Sequence, residues 1–252
     1  ADGRELVVFC GDRWADFAGN GNGYNQWCPI TLENGKPYFH SLSHWTIDHE
    51  TGLWRVLERN NYVKNGSFEA DRVNIPSASK PSQAYLRGWK TEVLKGNKVA
   101  IGSETSPQLN QSNSASDRAT VIGNHCLNIY DTEAYTQRIS QTIRSTDRVP
   151  LRDGYYTLQC KAKGSDGYTS IYMYATSSDT TFKADISETD GKWHTYTIDE
   201  VAVRGGTVVV GFYADGAAGS WERIDDVTLV WKRAFDDEAG ISQAATNARE
   251  TT

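Results

Sequence analysis

Tyrosines spaced two apart along extended segments are the residues of this sequence best placed to do chemistry. In Ile171-Tyr172-Met173-Tyr174-Ala175, Tyr172 and Tyr174 share one parity, with Ile171 and Met173 on the other. In Phe212-Tyr213-Ala214-Asp215, a ring and an acid share a face. Tyr130 falls on the polar parity of Cys126-Leu127-Asn128-Ile129-Tyr130, where no core argument places it, and Tyr135 is a further candidate. A pyranose offers an apolar face of C–H groups rimmed by hydroxyls, so flat rings flanked by hydrogen-bonding groups are what would hold one. The competing reading is that two or three of these rings cover barrel ends or pack on the first region, residues 1–57.

Other chemistries find less support. Hydrolysing a glycoside needs two carboxyl groups flanking the bond, one with a raised pKa. The chain has 32 acidic residues, but no pair is singled out by spacing, so no catalytic residue is assigned and hydrolysis by this chain alone is not expected. His40 and His44 would share a metal on a helix, but the segment carrying His40, His44 and His49 reads as extended. On a strand His40 and His44 would stand about 13 Å apart. No G-x-S-x-G elbow, phosphate loop or dinucleotide fingerprint occurs. The four cysteines lack C-x-x-C spacing, which disfavours zinc. Cys126 and Cys160 lie in strand-like runs, where a free thiol and a disulfide both remain open. A formal charge of −6 argues against nucleic acid, and no apolar run is long enough to span a membrane as a helix. The chain opens Ala1-Asp2-Gly3 with its one methionine at Met173, so a longer parent protein is expected.

The elements that must position these residues read as strands throughout. Residues 1–57 hold three or four short ones: the run from Glu5 to Cys10, Gln26 to Leu32, a hairpin at Asn34-Gly35, and the pair Trp45–Asp48 and Leu53–Val56 across a turn. So few residues would hardly bury enough surface to stand alone. Residues 62–233 read as one antiparallel sandwich or jelly roll. Tyr156, Leu158, Cys160 and Ala162 point one way and Thr157, Gln159 and Lys161 the other; Val208, Val210 and Phe212 make another apolar face. Turn signals at Asp153-Gly154, Asp166-Gly167, Asp190-Gly191 and Gly205-Gly206 separate the strands. Composition predicts a long surface loop over 102–118 and a polar tail over 234–252. Trp89, Trp193 and Trp231 read as structural. Gln141 sits on the parity of Ile139 and Ile143 and is either buried with partners or open to a ligand.

Several of these pieces fall in a familiar order. Tyr62-Val63-Lys64-Asn65-Gly66-Ser67-Phe68-Glu69, Gly88-Trp89, Gly123 to Ile129, Ile139 to Ile143, Gly154 to Leu158, Gly191 to Tyr196 and Ile224-Asp225-Asp226-Val227-Thr228-Leu229 together resemble the β-sandwich carbohydrate-binding modules of families 4, 9 and 22. The Tyr213 and Asp215 pair resembles a tyrosine and acid on the binding strand of the family-22 modules. The first region, through Gly11-Asp12-Arg13-Trp14, Tyr24 to Ile30 and His44 to Asp48, resembles the last blade of the five-bladed propeller of family-43 glycoside hydrolases, nearest the galactan-cleaving branch. Catalytic groups of that family lie mainly on other blades, so none is carried over.

The resemblance implies an all-β chain: a propeller-blade-like segment, then an antiparallel β-sandwich that binds plant cell-wall polysaccharide of the xylan, β-glucan or galactan class. It implies a secreted or cell-surface, bacterial setting and an upstream catalytic domain as partner. It also implies that Glu69 and Asp225 meet at one structural calcium ion, with Asp226 as an additional ligand. The alternative for the acids is ordinary pairing with Arg or Lys. For the whole chain the alternatives are a brace for an active family-43-like galactosidase or arabinofuranosidase, or a structural spacer.

Overall fold

A computed structural model describes residues 6–13, 24–69, 86–97, 108–123 and 125–235. Alternating β-branched and aromatic residues with turn dipeptides between them produce strands nearly throughout. Residues up to 57 give β1 (Val7–Arg13), β2 (Tyr24–Glu33), β3 (Lys36–Phe39), β4 (Trp45–Ile47) and β5 (Trp54–Val56). The first three form one antiparallel sheet and the last two a separate hairpin. Asn34 and Gly35, between β2 and β3, have φ of 53° and 74°, the left-handed pair that a tight hairpin turn requires.

The remaining strands are β6 (Lys90–Lys95), β7 (Gln108–Ser112), β8 (His125–Tyr130), β9 (Tyr135–Arg144), β10 (Gly154–Gly164), β11 (Tyr168–Ser177), β12 (Thr180–Asp185), β13 (His194–Val203), β14 (Thr207–Gly216) and β15 (Trp221–Arg233). They make two five-stranded sheets, ordered β13-β10-β15-β8-β7 and β12-β11-β14-β9-β6. Tyr156, Leu158, Cys160 and Ala162 of the first sheet and Met173, Val208, Val210 and Phe212 of the second are fully buried in one shared core. This is the antiparallel sandwich that the alternation predicts.

One expectation changes. Part of the stretch predicted as a surface loop, residues 108–112, is an edge strand paired to β8. Its sequence, Gln-Leu-Asn-Gln-Ser, carries the polarity that suits a sheet edge and hides it from a hydrophobic pattern search. Residues 102–107 lie outside the described set, as do 236–252 of the predicted tail. Phe235 just before them packs edge-on against Tyr155, with ring centroids 4.9 Å apart, under the Arg204 guanidinium. The cysteines are thiols, Cys10 exposed and Cys28, Cys126 and Cys160 buried. Cys160 faces the core on the parity of Leu158, whereas Cys126 lies opposite Leu127 and Ile129.

Two adjacent asparagines join the N-terminal strands to the sandwich. Asn60 Oδ1 accepts the Ser43 amide at 3.0 Å, ahead of β4. Asn61 Oδ1 accepts the amides of Val63 and Leu229 at 2.9 Å each, and its Nδ2 donates to the Val227 carbonyl at 3.1 Å. Asn61→Ala strands all three backbone groups, so it is expected to cost about 2 kcal/mol. For a chain of this size that is a drop of roughly 4–8 °C in Tm, readable by calorimetry; an unchanged midpoint would contradict the role.

Candidate functional site

The outward face of the sheet β12-β11-β14-β9-β6 assembles three rows of side chains in register. The central row is Asp185, Tyr172, Tyr213, Arg138 and Glu92, one from each strand. On one side run Lys183, Tyr174, Gly211, Ser140 and Lys90; on the other, Ser170, Asp215, Thr136 and Lys95. At about 4.8 Å between strands a row spans about 19 Å, long enough for several sugar units. The inward parity of the same strands, with Met173, Phe212 and Ile139 all fully buried, holds these rows outward.

The rings are arranged unequally. Tyr172 and Tyr213 stack with centroids 5.1 Å apart and planes at 20°. The Lys183 ammonium lies 4.2 Å from the Tyr172 ring centroid, so Tyr172 is held between a ring and a cation. Tyr213 has its stacked face toward Tyr172 and its other face toward the β9 side of the sheet, where Arg138 is its partner in register. Tyr174 meets Tyr172 edge-on at 6.2 Å and lies across Gly211. A Cβ on Gly211 would sit 2.9 Å from the Tyr174 hydroxyl, so the glycine makes room for that ring. Burial pushes the Tyr174 phenol up, offset by the Arg138 charge and a hydrogen bond with Ser140. Asp215 accepts a long 3.4 Å hydrogen bond from Thr136, and exposed Lys90 pairs with Glu92 at 2.8 Å. Two stacked hydroxyl-bearing rings, a third beside them and flanking charges of both signs make a surface that can stack and hydrogen-bond a polyhydroxylated chain.

Of the residues expected to share a site, Tyr172, Tyr174, Tyr213 and Asp215 come together. Tyr135 does not. It is fully buried, its hydroxyl donating to the Ser220 carbonyl at 3.0 Å and lying 2.9 Å from the Tyr168 hydroxyl; it shares the inward parity of Ile139. Tyr130 is half-buried on the other sheet, opposite Trp221, and is not part of this face. Gln141 is buried, its amide gripping the Lys64 N–H and the carbonyls of Lys64 and Gly88 at 2.7–2.9 Å. The three tryptophans pack: Trp89 stacks on Phe68, Trp231 meets Tyr156 edge-on, and Trp193 donates to Asp117 at 2.8 Å. His40 is buried against Trp54 and bonded to Thr31 at 2.7 Å. Nothing in the sequence singles out Arg138, Glu92, Asp185 and Lys183. Only the tertiary pairing of five distant strands puts them in line with the tyrosines.

The acids from the opening and closing segments of the sandwich also converge. A bulge in β15, with Asp226 at φ 51°, turns Asp225 inward beneath the loop from 113 to 123, fully buried. Asp225 Oδ1 accepts the Asp226 amide at 2.8 Å and Oδ2 accepts Asn113 Nδ2 at 3.1 Å. Burial, then the charges of Asp226 and Glu69, push the Asp225 carboxyl up to about 9. Glu69 accepts the His125 amide at 2.7 Å and lies against Gly123, where a Cβ would come within 2.4 Å of its carboxyl. Asn113 Oδ1 is buried with no hydrogen-bond partner. Asp226 turns elsewhere, to Lys161 at 3.0 Å and the Ile122 amide at 3.2 Å. Among the described residues no three His, Cys, Asp or Glu side chains make a metal site unaided. The oxygen donors present, two carboxylates and an orphaned amide oxygen beside backbone carbonyls, are those calcium takes.

No protein-family model matches the chain, and no curated protein matches it significantly. Solved structures do. TmCBM61, determined in complex with β-1,4-galactotriose, superposes with a TM-score of 0.51 at 18% identity, over 68% of this chain and 99% of that one. The enzymatically active domain of tailspike protein 4 from bacteriophage CBA120 gives 0.45 at 13% identity, over 69% of this chain and 22% of that one. A carbohydrate-binding module of family 4 gives 0.38 at 16% identity, over 68% and 99%. At these identities the likeness is one of fold: an antiparallel β-sandwich of the kind seen in carbohydrate-binding modules.

Proposed function

We propose that the chain binds polysaccharide through the outward face of β12-β11-β14-β9-β6, without catalysing its cleavage. The observation that carries this is the stacked Tyr172–Tyr213 pair in register with Arg138, Glu92 and Asp185 across the sheet. The sandwich fold shared with TmCBM61 supports it. The ligand class is a neutral plant cell-wall polymer, xylan, β-glucan or galactan, encountered outside the cell. Affinity electrophoresis of the whole chain through gels containing xylan, arabinoxylan, mixed-linkage β-glucan, xyloglucan, arabinogalactan or β-1,4-galactan tests this. Retardation by at least one polymer is expected; free migration in all six would sink the reading.

The N-terminal strands serve attachment in this account. Among the described residues, eight of the ten exposed large hydrophobic ones, Trp27, Leu32 and Phe39 included, lie between Val7 and Leu53. Such a concentration supports packing against further chain, as a blade of a family-43-like propeller would. Holding a catalytic domain on its polymer raises effective concentration without new chemistry.

Calcium belongs to the same proposal as a structural ion held by Glu69, Asp225 and the Asn113 amide oxygen, with Asp226 left to Lys161. Bound there, the cation would neutralise converging carboxylates and tie the opening of the sandwich to its last strand. Millimolar calcium is therefore expected to raise the Tm of the chelator-treated chain by several degrees, as a ligand bound only to the folded state does. Asp225→Asn should abolish that rise. Equal midpoints in calcium and chelator would remove the ion from the account.

A further inference from the structure

A pocket of about 420 Å3 opens at one end of the sandwich where the β10–β11 turn and the β12–β13 loop approach each other. Its wall includes Asp166, Tyr168, Ser170, Asp185, Glu188 and Glu222, and no Lys, Arg or His. Glu222 is the unusual member. It is 1% exposed, and its Oε1 has no hydrogen-bond partner. Gly164, its partner in register on β10, makes room for it: a Cβ there would fall 1.8 Å from Glu222 Oε2. Tyr135, Tyr168, Tyr196 and Cys160 lie near enough to feel its charge when it is ionised, and burial with no offsetting cation dominates its environment. A buried carboxyl left unpaired is costly, and such groups commonly mark a place where something else binds.

The wall selects the ligand class. Without a basic group it repels anions. No three of its carboxyl groups converge closely enough to hold a metal ion. Hydroxyls, acids and one tyrosine ring suit a neutral polyhydroxylated ring. Ser170 and Asp185 belong both to this wall and to the outward rows beside Tyr172 and Asp215, so the pocket opens onto the edge of the tyrosine face.

We infer that this pocket is a second sugar subsite, which takes a terminal or branching sugar residue of a polymer lying across the tyrosine rows, with the Glu222 carboxyl hydrogen-bonded to one of its hydroxyls. The inference rests on the polysaccharide-binding reading of that face. It is tested by amide chemical-shift mapping of the full chain titrated separately with D-galactose, D-xylose, D-glucose and L-arabinose. At least one sugar is expected to shift the amides of residues 165–171 and 185–189, in the wild type and equally in the Tyr172→Ala/Tyr213→Ala chain. Glu222→Gln, which keeps a donor and an acceptor, should retain those shifts. Glu222→Leu should weaken them tenfold or more, and Ser170→Trp, which fills the mouth from an outward position, should do the same without touching Glu222. Absence of these shifts with all four sugars, or shifts unaltered in both Glu222→Leu and Ser170→Trp, would overturn the subsite. Unaltered polymer retention by the Tyr172→Ala/Tyr213→Ala chain would instead overturn the tyrosine face, whatever the pocket shifts do, so the two failures are distinguishable.

Discussion

Tyr213→Ala is expected to weaken polysaccharide binding about 30-fold, a loss of ~2 kcal/mol, with little change in Tm. Tyr213 has one face in the stack with Tyr172 and the other toward the Arg138 side, so it is the ring best placed to receive the apolar face of a sugar. Tyr172 is already held between Tyr213 and the Lys183 ammonium. Its replacement by alanine should cost less, and mainly by letting the Tyr213 ring tilt. The double substitution should cost little more than Tyr213→Ala alone, since the two rings act as one unit. Calorimetric titration with the oligosaccharide of the retarding polymer reads these losses. Because both side chains are on the outward face, thermal unfolding should barely move. A Tyr213→Ala chain that binds as tightly as the wild type would place the ligand elsewhere.

The second large effect concerns stability against pH. Burial alone raises the Glu222 carboxyl from its ordinary 4.5 to about 9. In the folded chain it therefore keeps its proton over a range in which the unfolded chain has lost it. The stability that protonated Glu222 contributes is fully present below about 4.5 and falls as pH rises toward 9. At pH 7 the loss relative to pH 4.5 is on the order of 3 kcal/mol. Glu222→Gln mimics the protonated acid and cannot ionise. It should raise Tm above the wild type by several degrees near pH 8, converge with it near pH 4.5, and flatten the decline between. Parallel melting curves for the two chains across pH 5 to 9 would show that Glu222 is ionised and paired in solution.

Most of the fold was legible because period-two alternation survives wherever one face of a strand is buried. Tyr156 to Ala162 and Val208 to Phe212 carry that alternation, and the structure buries the expected parity in each. Glu222 was legible in principle, since it lies on the core parity of Ile224, and an acid on a core parity signals either a network or a site. Tyr135 also carried its own answer on the parity of Ile139 and Ile143, but an aromatic hydroxyl suits a core with a partner as well as it suits a binding face. What the sequence could not supply was the line-up across strands. Arg138, Glu92 and Asp185 meet Tyr172 and Tyr213 only because β12, β11, β14, β9 and β6 are neighbours, an order unrelated to their order in the chain. The bulge that buries Asp225 and turns Asp226 to Lys161 is equally invisible, since one inserted residue reverses the parity of two adjacent acids.

On the proposed reading the polymer lies on the outward face of β12-β11-β14-β9-β6. Amide chemical-shift mapping of the full chain with an oligosaccharide of the polymer that retards it tests this most directly. Shifts are expected to concentrate at Tyr172, Tyr174, Tyr213, Arg138 and Asp185, running across the sheet rather than along one strand. Shifts concentrated instead on the outer face of β13-β10-β15-β8-β7, or within the N-terminal strands, would contradict it.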